Sequence, residues 1–456
     1  MNTPALFTET IFALASGQTP SGVAVVRVSG RDARSALDVF HVKQPEPRHA
    51  QLSVLTDADG RPLDQGLVFW FPGPASFTGE DVVEFHLHGS AAVLDAVFQQ
   101  LGTLRNWRMA EAGEFTRRAF ENGRMDLTEV EGLGDLLAAQ TEAQRRQALN
   151  QYTGSLRMLY DGWRQALLSL RAAVEADFDF SDEEDVPGSV AEFVSGDALS
   201  LSRQIESHLN DGRRGEIIRN GLRVVLVGLP NAGKSSLLNA LAQRDVAIVT
   251  DVPGTTRDVL SVSLNLNDQL INISDTAGLR DSYDVVEIEG MRRAEEAARS
   301  ADLILSLCPA DQPGFHVAFR DSDEGDFPSI LKVRTKCDLL PDSDAGGTPS
   351  GDTDIDVSVR DGSGLDKLMS ELARFGSVPI TGQSDVTTSP LITRARHRLA
   401  LERCVTSLQS AGDDQLPLEI RVEYLRTASD SLGQILGRID VEDILGHIFS
   451  EFCIGK

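Results

Sequence analysis

The chemistry of this chain starts at Gly228-Leu-Pro-Asn-Ala-Gly233-Lys234-Ser235-Ser236, directly after the β-branched run Arg223-Val-Val-Leu-Val227. The pattern G-x-x-x-x-G-K-[ST] between a strand and a helix start is a P-loop. Its backbone N–H groups wrap nucleotide phosphates, and the helix adds the positive end of its dipole. Asn231, Ala232, Gly233, Lys234, Ser235 and Ser236 are the candidate phosphate contacts, with Lys234 reaching the β- and γ-phosphates and Ser235 ligating Mg²⁺. Asp275-Thr276-Ala277-Gly278 follows the apolar run Leu270-Ile-Asn-Ile-Ser274. A strand ending in D-x-x-G puts a carboxylate near Mg²⁺ and a glycine N–H near the γ-phosphate.

Thr335-Lys336-Cys-Asp338 follows Ile330-Leu-Lys-Val-Arg334 and matches the guanine-reading pattern [NT]-K-x-D. The Asp338 carboxylate accepts from guanine N1–H and the 2-amino group, donors that adenine does not offer there, so the pattern selects GTP. Thr335 stands where Asn is commoner, an exchange expected to loosen the link to the P-loop. Ser358-Val359-Arg360 sits where a second guanine loop belongs, with Val359 in place of Ala; the contact is a backbone N–H, so the change is mild.

These motifs need an α/β G-domain to hold them, and the rest of the chain frames one. At 456 residues about three domains are expected. Residues 1 to about 120 mix short strands, among them Val23–Val28 and Gly66–Phe71, with a helix over 91–104. From about 125 the pattern turns helical. Leu156, Leu159, Trp163, Leu167, Leu170, Val174 and Phe178 form one apolar stripe, which the acidic run 177–185 breaks. A Gly/Ser/Asp-rich stretch at 342–354 reads as a surface insertion. After Pro379 the chain is helical again, with Leu432, Ile435, Leu436 and Ile439 on one face. The division reads as an α+β domain over 1–122, helices over 123–218 and 381–456, and an inserted Ras-like P-loop G-domain over 219–380.

The net charge is −26, from 43 Lys+Arg against 69 Asp+Glu, so general binding to a phosphate backbone is disfavoured. RNA contact would need local basic clusters: Arg394 with Arg396 and Arg398, Arg213 and Arg214 with Arg219, or Arg117 with Arg118. No apolar run is long enough to span a bilayer, and Glu9 stands where a basic leader would. Four cysteines without metal-ligand spacing suit a reducing, cytoplasmic compartment.

Over its whole length the chain resembles the MnmE (TrmE) family of bacterial tRNA-modification GTPases. The resemblance is carried by Gly22-Val-Ala-Val-Val-Arg27-Val-Ser-Gly30, Ser76-Phe-Thr-Gly79-Glu80-Asp81-Val-Val-Glu84-Phe-His-Leu-His88-Gly89, and the stretch from Ala112 to Leu127. The G-domain motifs, the switch Gly254-Thr-Thr-Arg-Asp258 and the ending Cys453-Ile-Gly-Lys456 complete it. Ser90 replaces a usual Gly, and Arg124 a common Lys.

The resemblance implies a folate-binding-like N-terminal fold that binds a one-carbon tetrahydrofolate of 5-formyl or methylene type, contacted by Arg27, Glu84, Arg124 and Lys456. It implies a homodimer and an FAD-dependent partner, MnmG, with which the family installs aminomethyl or carboxymethylaminomethyl groups on the wobble uridine of certain tRNAs. In the G-domain it assigns Thr250, Asp251, Val252, Pro253, Gly254, Thr255 and Thr256 to the nucleotide, with Thr256 joining Ser235 on Mg²⁺. Leu279 stands after Gly278 and cannot orient a water, a role the family gives to a switch II glutamate, here Glu287. The family replaces an arginine finger with K⁺, held here by Asn231, Thr250, Val252 and Thr255. Cys453 is a free thiol suited to nucleophilic or acid–base work, on a tail expected to be mobile after a Gly helix stop. The rival readings are a ribosome-assembly GTPase of the Era or Der type and a dimeric scaffold with a vestigial GTPase. A single P-loop, no basic domain after the G-domain and intact switch motifs speak against both.

Overall fold

The computed structural model describes residues 7–179, 190–211, 213–244, 246–248, 261–275, 296–311, 328–339, 354–377, 390–439, 442–450 and 452–456. The chain divides into two units. One comprises residues 1–134, 151–168 and 429–456, the other residues 135–150 and 169–428.

The first unit is built on six strands: β1 (Thr10–Leu14), β2 (Ser21–Ser29), β3 (Gln51–Thr56), β4 (Pro62–Phe71), β5 (Val82–Gly89) and β6 (Trp107–Met109). Their order is β3-β4-β5-β2-β1-β6, antiparallel except for the parallel pair β1 and β6. Period-two alternation turns Val83, Phe85 and Leu87 of β5 into the core, beside Val26 and Val28 of β2 and Val68 and Trp70 of β4. Glu84, His86 and His88 therefore take the other face. Helices α1 (Ser35–Val39) and α2 (Ala91–Leu101) cover the buried face through Leu37, Leu94, Val97 and Leu101. The expected helix over 91–104 stops at Leu101, where Gly102 caps it; Ser90 starts it by accepting from Val93 N. Helix α3 (Glu114–Glu121) follows.

The next helices are α4 (Leu127–Ala138), α5 (Glu142–Tyr152), α6 (Ser155–Asp179), α7 (Val190–Leu209) and α8 (Arg214–Asn220). On α6 the buried stripe runs Leu156, Tyr160, Trp163, Leu167, Leu170 and Val174. Tyr160 takes the place expected for Leu159, which is half-buried. The Phe178 side chain and residues 180–189 lie outside the described residues, as does 340–353, most of the expected insertion.

The second unit holds the G-domain sheet: β7 (Leu222–Val227), β8 (Ala247–Ile248), β9 (Ser261–Leu266), β10 (Gln269–Asp275), β11 (Leu303–Pro309), β12 (Ser329–Thr335) and β13 (Asp354–Asp356). The order is β13-β12-β11-β7-β10-β9-β8. The five strands β13 to β10 run parallel, and β9 and β8 add an antiparallel edge. Helices α9 (Lys234–Ala242) and α10 (Leu365–Ser377) pack on it through Leu237, Leu238, Leu241, Leu365, Leu368 and Leu372. This is the doubly wound α/β arrangement the motifs require.

Three further helices end the chain: α11 (Ala395–Ala411), α12 (Leu418–Leu436) and α13 (Glu442–Ser450). Leu432, Ile435 and Leu436 are buried as expected. Ile439 lies beyond the helix, because Gly437 at φ +77° turns the chain back and brings Ile439 against Gly433.

Candidate functional site

The nucleotide motifs meet at the carboxyl ends of the parallel strands, where open α/β sheets bind ligands. Gly228 leaves β7 so close to β11 that a Cβ there would lie 2.6 Å from Leu307 O. Asn231 and Gly233 take positive φ, 62° and 89°, and turn the loop into α9. Lys234 is the first residue of that helix. It is buried, and its ammonium donates to Gly228 O at 2.8 Å and Leu229 O at 3.1 Å. The side chain thus folds back over the cradle, where phosphate oxygens would add to its partners.

β10 runs parallel to β7 with Asp275 opposite Leu226, which carries the carboxylate to the P-loop. Ser235 Oγ donates to Asp275 Oδ2 at 2.9 Å. A hydroxyl and a carboxylate this close are the hard oxygen donors that Mg²⁺ takes. At the end of β12, Thr335 Oγ1 donates to Ala232 O at 2.6 Å. The expected loosening is corrected here: threonine keeps the link from the base-reading motif to the phosphate loop, because the strand end stands close enough for a short hydroxyl. Three residues on, Asp338 Oδ1 accepts from Ser358 Oγ at 3.0 Å, while the Arg360 guanidinium lies 3.7 Å from Oδ2. Lys336 occupies the left-handed region at φ 58°, and Val359 is half-buried beside the loop. Ser236 is exposed on the first turn of α9.

Thr250, Asp251, Val252, Pro253, Gly254, Thr255, Thr256, Thr276, Ala277, Gly278 and Glu287 lie outside the described residues.

The first unit carries a second constellation on the polar face of its sheet. Arg27 of β2 is the register partner of Glu84 on β5, and its Nε donates to Glu84 Oε1 at 2.8 Å. The guanidinium lies over the rings of Phe77 and Phe115, at 4.9 and 5.6 Å from their centroids. His86, two residues along, places Nε2 3.4 Å from Glu84 Oε2. Its ring packs on Phe69, centroids 4.7 Å apart. Motif spacing did not single out His86 or these aromatic rings. The alternation along β5 was the one signal that could have found His86.

The tail Cys453–Lys456 is docked rather than loose. α13 already ends at Ser450, and Ile454 forms a β-bridge with Ala112. Gly113 N donates to Cys453 O at 3.4 Å and Phe115 N to Lys456 O at 3.2 Å, so the tail's carbonyls serve N–H groups at the start of α3. Gly455, at φ +94°, lies flat on Leu14, with no room for a Cβ. Cys453 is exposed, whereas Cys308 and Cys404 are buried. Burial lowers the Lys456 ammonium below the usual lysine range; Arg27 pushes the same way, and Cys453 and Glu84 oppose them. Arg27, Glu84 and Lys456 thus come together. Arg124 is exposed, its stem lying over Gly79, and it makes no ion pair among the described residues.

Most arginines of the three basic clusters are paired with carboxylates. Arg398 pairs with Asp211 and Glu216, and Arg213 shares Glu216. Arg219 and Arg394 both reach Asp135 at 2.8 and 2.9 Å. Arg118 is fully buried between Glu80 and Glu114, and Arg117 pairs with Glu121. In a chain with excess acid these arginines find carboxylate partners, Arg118 fully buried and Arg117 and Arg213 still about half exposed.

Comparison with known proteins agrees with the geometry. The family model described as the MnmE helical domain matches residues 127–453, and the one described as the GTP-binding protein TrmE N-terminus matches residues 10–124. The tRNA modification GTPase MnmE of Agrobacterium fabrum is 51% identical over 452 residues, covering 98% of this chain and 99% of the relative. That of Rhizobium etli is 48% identical over 453 residues, 99% of this chain and all of the relative. That of Brucella anthropi is 48% identical over 450 residues, 98% of each.

Proposed function

The chain belongs to the MnmE (TrmE) family of tRNA modification GTPases, and from that premise we propose that it is a K⁺-dependent GTPase that works with the FAD-dependent protein MnmG. Together they add an aminomethyl or carboxymethylaminomethyl group to C5 of the wobble uridine of certain tRNAs, using a one-carbon tetrahydrofolate. The protein acts as a homodimer in the cytoplasm. Residues 1–122 bind folate and dimerise, 219–380 hydrolyse GTP, and 123–218 with 381–456 form the helical domain.

One observation carries the GTPase half of this reading. The Thr335–Ala232 hydrogen bond joins the base-reading end to the phosphate-reading end in a single site. Ser235 and Asp275 suit Mg²⁺, which when bound neutralises charge on the phosphates. Asn231, Thr250, Val252 and Thr255 offer the oxygen donors K⁺ needs, and Glu287 orients the attacking water. Asp338, oriented by Ser358, selects guanine.

On the folate side, Glu84 takes the pterin edge and the cations Arg27, Arg124 and Lys456 meet the ligand's acidic groups. Cys453, exposed on the docked tail, is available to the one-carbon unit.

The test is mass analysis of wobble nucleosides in a deletion strain, beside GTP turnover of the purified protein. Loss of the C5 substituent, restored by the intact gene, is expected. Unchanged nucleosides would remove the modification reading, and a lack of guanine preference would remove the assignment of Asp338.

A further inference from the structure

We propose that His86 is a positioning residue for Glu84: with Arg27 on the other side, it sets the carboxylate so that its remaining lone pairs face the paired N–H donors of a heteroaromatic ligand edge. The inference rests on the folate reading given above and assigns His86 a part in it.

Glu84 and His86 are two residues apart on β5, so both project from the face opposite the core. Arg27 anchors Oε1 at 2.8 Å. The terminal torsion of a glutamate is broad, so an anchor on one oxygen leaves the carboxylate plane free to turn. His86 Nε2 stands 3.4 Å from Oε2 and supplies the second point. Because a carboxylate offers only acceptors, this nitrogen carries the proton and donates. Two anchors use one lone pair on each oxygen and leave another on each. That spacing suits a ligand with an amino group beside a ring N–H, as in a 2-amino-4-oxo pterin.

The His86 ring is itself held. Phe69, the register partner of Glu84 on β4, packs against it at 4.7 Å and 45°. The Arg27, Glu84 and His86 side chains are 17%, 16% and 28% exposed, enough shielding for a hydrogen bond to a charged oxygen to count. Lys456 of the docked tail also interacts electrostatically with Arg27 and Glu84. His86 does not touch the reacting carbon in this arrangement; it acts through Glu84.

The experiment is equilibrium binding of 5-formyltetrahydrofolate to the full chain, with wild type, His86→Leu and His86→Gln side by side. GTP turnover and melting temperature are measured for each. His86→Leu should raise Kd roughly tenfold, the size of one hydrogen bond to a charged group. His86→Gln should stay within about threefold of wild type, since an amide N–H can reach the same oxygen. GTP turnover and Tm should be unchanged in both. A leucine variant that binds like wild type overturns the role of His86 while leaving the folate reading intact. So does a glutamine variant as weak as leucine, or an affinity loss that follows a lowered Tm in both. Failure of the wild type to bind the ligand overturns the folate reading and the His86 role together.

Discussion

Thr335 donates its hydroxyl to the carbonyl of Ala232 at 2.6 Å, across 103 positions of sequence. Thr335 ends β12 and Ala232 lies within the P-loop, so one hydrogen bond fastens the base-reading segment to the phosphate cradle. Both residues are buried, which makes the bond costly to break. Thr335→Val keeps the shape and deletes the donor. It should weaken GDP and GTP affinity by about tenfold, the cost of stranding a buried carbonyl. Thr335→Asn should restore most of it. Titration with a fluorescent guanine nucleotide decides; wild-type affinity in the valine variant would make the contact incidental.

GTP turnover should be faster in KCl than in NaCl at equal ionic strength, by on the order of 10²-fold, the usual effect of one charge stabiliser in phosphoryl transfer. Asn231 stands in the left-handed region of the P-loop and is exposed. Asn231→Ala should flatten the response to K⁺ while nucleotide binding persists. Equal rates in the two salts would end the K⁺ proposal.

Asp338→Asn presents an amide N–H to the purine where a carboxylate stood. The variant should lose on the order of 10²-fold or more in GTP affinity, because a site built to accept hydrogen bonds rejects a partner it can no longer pair. It should gain affinity for xanthosine triphosphate. Ser358 keeps a partner, since the amide oxygen can take its hydroxyl. Competition between the two nucleotides reads the result, and an unaltered preference would mean that the base is recognised elsewhere.

Cys453→Ser tests the tail. The β-bridge at Ile454 and the carbonyl of Cys453 on Gly113 N are main-chain contacts, so serine leaves the docking intact. Wobble modification should fall sharply while GTP turnover holds, because a hydroxyl lacks the nucleophilicity of a thiolate. Full modification by the serine variant would reduce Cys453 to a packing residue. Loss of both activities would indicate a fault in folding.

Asp126 begins α4 as a buried cap, its Oδ1 accepting from Thr128 and from Glu129 N, its Oδ2 without a hydrogen bond and 3.9 Å from Arg157 Nε. Burial pushes its carboxyl up to about 6, with those hydrogen bonds opposing only in part. The folded value lies above the ordinary carboxylate range, so ionising Asp126 opposes folding. Stability from this group is full below about pH 4 and is lost as pH rises through about 6. Asp126→Asn keeps the cap and removes the charge. It should gain on wild type by roughly 1–3 kcal/mol between pH 4.5 and 7.5. Unfolding midpoints at the two pH values give the difference, and a gap that does not widen would contradict the burial argument.

Much of the G-domain was legible because its motifs are local. Gly228 to Ser236, Asp275 to Gly278 and Thr335 to Asp338 each sit at the end of an apolar β run, and a run of that kind ending in such a motif has few other uses. The strands of the first unit were legible for a similar reason: alternation along β2 and β4 reports burial on one face. Tertiary structure decided what depends on register and on distant partners. Thr335 looked like a weakened link until β12 placed it beside Ala232. Leu159 gave way to Tyr160 on α6, because the centre of a helical stripe depends on what packs against it. The arginine clusters read as basic runs in the sequence, but Arg398, Arg219, Arg394 and Arg118 each pair with a carboxylate remote in sequence, on Asp211 and Glu216, Asp135 and Glu80. The last four residues looked free, yet the start of α3 had N–H groups to offer and Gly455 could lie flat on Leu14. Composition and motif spacing determine which chemistry the chain can hold. Strand register and the pairing of buried polar groups, set only when the chain closes on itself, decide which side chains reach it.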